Sequence, residues 1–72
     1  MTKKECKKLF YNLIKKYTHD FIHEIFPCIQ KFKTSIGTGW LYTASFCNET
    51  YYFIVETTSN GDICNKYIIQ KV

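Results

Sequence analysis

Residues 51–56 have the sequence Tyr-Tyr-Phe-Ile-Val-Glu, in which five of the six side chains are aromatic or β-branched. Residues of these types favour a β-strand. Turn signals stand on both sides, Asn48-Glu49 before the stretch and Asn60-Gly61 after it. A strand between two tight turns can pair with one neighbour on each side, so the stretch predicts the central strand of an antiparallel meander.

The flanking segments have strand character as well. We predict three strands, at Trp40–Cys47, Tyr51–Thr58 and Ile63–Lys71. The 72 residues are enough for one hydrophobic core, and we expect a single domain, residues 1–72, with a helical part at about 2–33 and the meander at about 40–71.

The two predicted loops determine how the strands pair. Asn60-Gly61 is typical of a two-residue type I′ turn, which predicts that Ser59 pairs with Asp62 and that Phe53 and Ile54 lie opposite Ile68 and Tyr67. A two-residue loop at Asn48-Glu49 would place Ala44 opposite Phe53 and Tyr42 opposite Val55.

Side chains alternate along a strand, so these registers sort the sheet into two faces. One face is almost entirely apolar, and we expect helices to cover it: Trp40, Tyr42, Ala44, Phe46, Tyr51, Phe53, Val55 and Ile68. The other is half polar: Leu41, Thr43, Ser45, Tyr52, Ile54, Glu56, Ile63, Tyr67 and Ile69.

An apolar block lies at the centre of the half-polar face and consists of Tyr52, Ile54, Tyr67 and Ile69. An open sheet face in a monomer is ordinarily more polar than this. We therefore predict that the block is a binding surface, for a partner or for a second copy of the chain. The alternative is that the second helix or residues 28–36 fold over the block and make it a second core layer.

The N-terminal segment predicts an amphipathic helix. Thr2 and Glu5 have the spacing of a capping box. Apolar residues then recur at intervals of three and four: Cys6, Leu9, Phe10, Leu13, Ile14 and Tyr17. At Thr18-His19-Asp20 this pattern slips. Either Thr18 caps a second short helix or one long helix continues around the core, and we favour the break.

Pro27 marks the end of the helical pattern, because proline disfavours helical geometry at the residue before it. Residues 28–32 fit either another turn of helix beginning at Pro27 or an edge strand. We favour the helix. The fold class predicted is α+β, with one or two N-terminal helices packed on a three-stranded antiparallel β-meander.

The formal net charge is +4, and all ten basic residues are lysines. The absence of arginine argues against a sequence-specific DNA reader, since arginine makes the bidentate contacts to guanine. Six lysines fall in the predicted first helix. They form either its solvated face or a basic patch for a phosphate backbone or an acidic protein, at Lys4, Lys8, Lys15 and Lys16.

No local motif in the sequence indicates a catalytic site or a cofactor, and we expect no enzymatic activity. His19 and His23 have the spacing of two metal ligands on a helix, but no third ligand accompanies them. We expect a solvated helix face and no metal. The chain has neither an apolar run long enough to span a membrane nor a signal-peptide pattern at its beginning, which predicts a cytoplasmic location and no membrane partner.

The function predicted is that of a small non-catalytic module that binds a protein. The short length and AT-biased composition fit a phage or mobile-element inhibitor or regulator of a host enzyme or defence nuclease. Two alternatives stay open: a nucleic-acid-binding module that uses the lysine-rich helix, and a homodimerising structural protein.

Overall fold

The computed structural model describes residues 2–69. Two helices precede four strands along the chain: α1 (Lys3–Lys16), α2 (His19–Ile25), β1 (Cys28–Lys33), β2 (Gly37–Phe46), β3 (Glu49–Thr58) and β4 (Ile63–Ile69). The strands form one antiparallel sheet in the order β1-β2-β3-β4. The predicted α+β class is confirmed, but the sheet has one strand more than predicted. Residues 70 and 71 of the predicted third strand lie outside the described residues.

The helix caps predicted from the sequence are present at Thr2 and Thr18. The Thr2 hydroxyl accepts a hydrogen bond from the Glu5 amide at 3.1 Å, and the Glu5 carboxylate accepts one from the Thr2 amide at 3.2 Å. Tyr17 has extended backbone angles and ends α1. Thr18 then caps α2, its hydroxyl accepting from the Phe21 amide at 3.2 Å. The favoured break between two helices is confirmed.

The helical prediction for residues 28–32 is wrong, because Cys28–Lys33 form the edge strand β1. Ile29 and Phe32 are three apart and therefore fit one helix face, but pairing with β2 decides their conformation. The turn before β2 is closed by a hydrogen bond from the Thr34 amide to the Gly37 carbonyl at 3.0 Å. A side chain at position 37 would clash with the backbone of β3, so glycine is required at the start of β2.

The loop between β2 and β3 is one residue earlier than predicted. Cys47 and Asn48 have positive φ angles of 52° and 60°, which makes them the two central residues of the turn. Tyr42 consequently lies opposite Phe53, and the predicted pairing with Val55 is wrong. The register is displaced by two residues, and because side chains alternate with a period of two, the side chains of β2 and β3 stay on their predicted faces.

The Thr58 amide donates to the Asp62 carbonyl at 2.8 Å and closes a loop of three residues, 59–61, between β3 and β4. The predicted type I′ turn at Asn60-Gly61 is therefore wrong. The Gly61 amide donates to the Thr58 carbonyl at 2.9 Å, and of these loop residues only Gly61 has a positive φ, +88°. This geometry is typical of a type I turn followed by a glycine bulge.

A second irregularity between β3 and β4 restores the predicted register. The pairing shifts between Glu56 and Thr57. The shift offsets the longer loop, so Phe53 and Ile54 do lie opposite Ile68 and Tyr67. It also turns Ile63 to the other face, where it lies beside buried Thr57 and packs against the core. The predicted place of Ile63 on the half-polar face is therefore wrong.

Both helices pack on the predicted apolar face. The helices contribute four buried side chains, Cys6, Phe10, Ile14 and Ile22. The strands contribute Tyr42, Ala44, Tyr51, Phe53 and Val55. The Phe10 ring stacks on the Tyr51 ring at 4.9 Å between centroids and meets the Phe53 ring edge-on at 5.7 Å. The hydrophobic core thus lies between α1, α2 and a single face of the sheet.

Lys66 of β4 holds the end of α1 against the sheet. Its ammonium group donates to the carbonyl oxygens of Ile14 at 2.8 Å and Lys15 at 3.1 Å, and it also bonds the Tyr17 carbonyl. A cation at this position satisfies the last carbonyls of the helix and opposes the negative end of its dipole. Burial lowers the pKa of Lys66.

Replacing Lys66 with Met should lower the free energy of unfolding by about 1–2 kcal/mol, because the aliphatic stem is retained while the bonds to the helix carbonyls are lost. Urea denaturation measures the change. Lys15→Met, which removes an exposed lysine, should change stability by less than about 0.5 kcal/mol. Equal losses in the two variants would contradict the capping role.

Candidate functional site

The sheet face opposite the helices, here called the open face, carries two cross-strand rows of side chains. Leu41, Ile54 and Tyr67 form one row across β2, β3 and β4. Thr43, Tyr52 and Ile69 form the next. The structure therefore brings together all four residues of the predicted block.

Neither helix covers the open face, since the buried residues of both helices pack on its reverse side. Tyr67 is 40% exposed, and Leu41, Tyr52, Ile54 and Ile69 are half-buried. The alternative cover, residues 28–36, instead forms the edge strand β1 of the sheet and the turn that follows it. In the isolated chain the block is accessible to a partner.

Phe32 extends the apolar surface to β1. It lies opposite Gly39, and its ring covers that glycine so closely that a Cβ at position 39 would clash with it. Sequence reasoning missed this contact because it placed Phe32 in a helix. The signal was present in Gly39, since a glycine inside a strand often marks the close approach of a neighbouring group.

The open face carries almost no charge. Glu56 is the one ionisable carboxylate or amine on it among the described residues, and its Oε1 accepts a hydrogen bond from the Asn65 side chain at 3.3 Å. The surface thus has an apolar centre and a polar border, the anatomy of a protein-binding patch.

The predicted basic patch is only partly assembled. Lys4, Lys8 and Lys15 line the junction between α1 and β4, together with Lys7, which was not in the predicted set. Lys16 does not line it. Within residues 2–69 one ion pair forms, between Lys3 and Glu49, with a nitrogen–oxygen distance of 3.5 Å. The junction lysines are all exposed and none pairs with a carboxylate of the described chain.

His19 and His23 were predicted to form a solvated helix face, but both imidazoles also contact Tyr42 of β2. The hydroxyl of Tyr42 lies 2.9 Å from His19 Nε2 and 2.9 Å from His23 Nδ1. Trp40 packs against both imidazoles, with ring centroids at 4.7 and 5.5 Å. A phenol has one hydrogen, so it donates to one imidazole nitrogen and accepts from the other. We call the hydrogen-bonded group of His19, His23 and Tyr42 the His–Tyr clasp.

The clasp has a buried and an exposed side. Tyr42 is fully buried and His19 half-buried, while His23 is exposed. Burial, and then the neighbouring His23, lower the pKa of His19, with Asp20 acting in the opposite direction. Burial also raises the pKa of Tyr42. The clasp is therefore a hydrogen-bonded connection between α2 and β2.

Metal-ligating side chains do not cluster in the described part of the chain: no group of three or more His, Cys, Asp or Glu residues there could hold an ion. Nor is any helix within residues 2–69 both long and apolar enough to cross a bilayer. The chain matches no protein-family model, no curated protein sequence and no solved structure.

Acidification should destabilise the protein through His19. Because the folded state lowers the pKa of His19, the unfolded chain binds the proton first as the pH falls below about 6.5. The free energy of unfolding should therefore decline between about pH 7 and pH 5.5, and the decline should be shallower in His19→Gln. Chemical denaturation at several pH values measures it. An unchanged slope in the variant would assign the effect to another group.

Tyr42→Phe should cost about 1–2 kcal/mol of stability, because it removes the hydroxyl that both histidines bond. The loss should loosen α2 in particular and speed hydrogen exchange at the Ile22 and Phe26 amides, which close its two turns. Tyr52→Phe on the open face is the matched control, with little expected change. Unaltered exchange in α2 would rule out the clasp as its anchor.

Proposed function

We propose that the protein is a small non-catalytic module that binds another protein on its open face. One observation carries this proposal: Leu41, Tyr52, Ile54, Tyr67 and Ile69 occupy the centre of a solvent-open sheet face. Antiparallel sheets packed on one side normally alternate apolar residues inward with polar residues outward. Contiguous apolar side chains on the outward side are typical of an interaction surface.

The chemistry of the open face favours a protein over a nucleic acid. Binding to a phosphate backbone depends on lysine or arginine side chains. Among residues 2–69 the open face has neither, and the charged group that it does carry there, Glu56, repels phosphate. Tyrosines such as Tyr52 and Tyr67 are frequent at the energetic centres of protein interfaces, because they bury a large rigid ring and keep a polar tip.

The partner that fits has a largely neutral, apolar surface with hydrogen-bonding groups at its border, where Thr43, Glu56 and Asn65 lie. An inhibitor or regulator of a host enzyme or defence nuclease is the role that we propose for such a module. The biased composition supports that role, and the apolar open face supports the binding of a protein.

The test combines cross-linking in cells with a binding measurement on the purified partner. Benzoylphenylalanine at position 67 should cross-link a distinct protein in cells, whereas the same group at Leu13, an exposed residue on the helix side, should not. With the purified partner, Tyr67→Ala should weaken binding by about tenfold or more. Phe21→Ala is the control, since Phe21 is an aromatic residue of similar exposure, 43%, on the opposite side.

Three outcomes would overturn the proposal. Cross-links from position 67 to a second copy of the chain would make the open face a homodimer interface. Cross-links to nucleic acid would support the binding module predicted from the lysines. Equal weakening by Tyr67→Ala and Phe21→Ala would show that the partner does not use the open face.

A further inference from the structure

β4 is an edge strand next to a helix, and its outer side carries no partner within the described sheet. The backbone N–H and C=O groups along such an edge are available to another strand. The pairing irregularity lies near the start of β4, while Lys66–Ile69 pair regularly with β3. The regular part of the edge therefore has the geometry needed to accept an added strand.

A groove runs between α1 and this edge. One part of it is lined by Lys4, Lys7, Lys8 and Tyr11 together with Tyr67 and Ile68. The adjoining part is lined by Tyr11 and Lys15 together with residues 63–66. Tyr11 borders both parts, and together they adjoin residues 63–68 of β4.

The groove lysines match the dimensions of an extended peptide. Lys4 and Lys8 are four residues apart on α1, which corresponds to a rise of about 6 Å. Alternate residues of a β-strand are about 6.7 Å apart, so two carboxylates at alternate positions can reach these two lysines together. From Lys4 to Lys15 the helix rises about 16 Å, close to the length of a five-residue strand.

We propose that the groove binds an acidic extended segment of a protein, which adds to β4 as a fifth strand. Alternate side chains of the added strand point toward α1, where carboxylates meet Lys4, Lys8 and Lys15. The remaining side chains point to the other side, next to Tyr67. Main-chain hydrogen bonds hold the peptide, and the lysines select it by charge. The groove and the open face share Tyr67, but the lysines that select the peptide lie on α1, on the helix side of the sheet, so the two proposals are tested by different variants.

The groove fits a peptide better than a nucleic acid. A strand edge presents both donors and acceptors, and a peptide backbone satisfies both, whereas phosphate groups only accept. Lys66, the lysine of β4 itself, is already bonded to the carbonyls of α1. The groove contains no arginine, because the chain has none.

The experiment uses a fluorescent seven-residue peptide of alternating Glu and Val, matched to the length of β4. Fluorescence anisotropy in about 50 mM salt should detect binding that weakens as salt is raised. The variant Lys8→Glu with Lys15→Glu should weaken binding by about tenfold or more. Lys16→Glu with Lys33→Glu lowers the formal net charge by the same four units, from +4 to zero, away from the groove, and should have less than about a twofold effect.

Two further measurements test the strand geometry. N-methylation of alternate peptide residues blocks main-chain hydrogen bonds and should abolish binding. Amide shifts in a nitrogen–proton NMR spectrum should concentrate in β4 and not in β1, the opposite edge. Circular dichroism checks that each variant is folded, and the corresponding Lys→Gln pairs replace any Glu variant that is not.

Four results would overturn the proposal. These are no binding of the peptide at low salt, equal losses in the two charge-matched variants, undiminished binding of the N-methylated peptide, and tighter binding of an oligothymidylate of equal charge that displaces the peptide. The last result would make the groove a nucleic-acid site. Absence of peptide binding to the unaltered protein, with intact binding of a partner on the open face, would refute the groove alone.

Discussion

The hydroxyl of Tyr42 imposes the constraint on which the arrangement of the helices depends. It lies in the fully buried centre of the sheet, where a polar group without a partner is costly. His19 and His23 supply its partners, and both belong to α2, a helix of seven residues that is too short to be stable in isolation. The clasp and the buried side chain of Ile22 therefore place α2 over β2, and α1 covers the remaining core through Phe10 and Ile14.

The open face is a consequence of how the chain is divided between layers. Both helices lie on one side of the sheet, and the segment between α2 and β2 was the remaining candidate to cover the other side. That segment instead pairs with β2 as β1. It widens the sheet, adds Phe32 to the open face, and leaves Leu41, Ile54 and Tyr67 accessible. The extra strand thus enlarges the apolar surface that a covering helix would have buried.

Sequence patterns predicted those features that depend on local spacing. The capping at Thr2 and Thr18 and the two faces of the sheet follow from residue types and alternation. Face assignment also survived the displaced loop at Cys47-Asn48, because a shift of two residues does not change the side of a side chain. Features that depend on distant partners were missed. Nothing local distinguishes β1 from a helical turn, and the clasp joins Tyr42 to residues 23 and 19 positions away.

Charged and apolar side chains occupy different surfaces of the protein, and these two surfaces adjoin at β4. The groove lysines lie on the helix side of this strand, and Lys31 lies over the Trp40 ring on the same side of the sheet. Among the described residues, Glu56 is the one charged group on the open face. A strand added to β4 would present one set of its side chains to the lysines and the other set to the row that ends at Tyr67. The two surfaces therefore select their partners differently. The groove selects by charge and backbone geometry, and the open face selects by apolar contact.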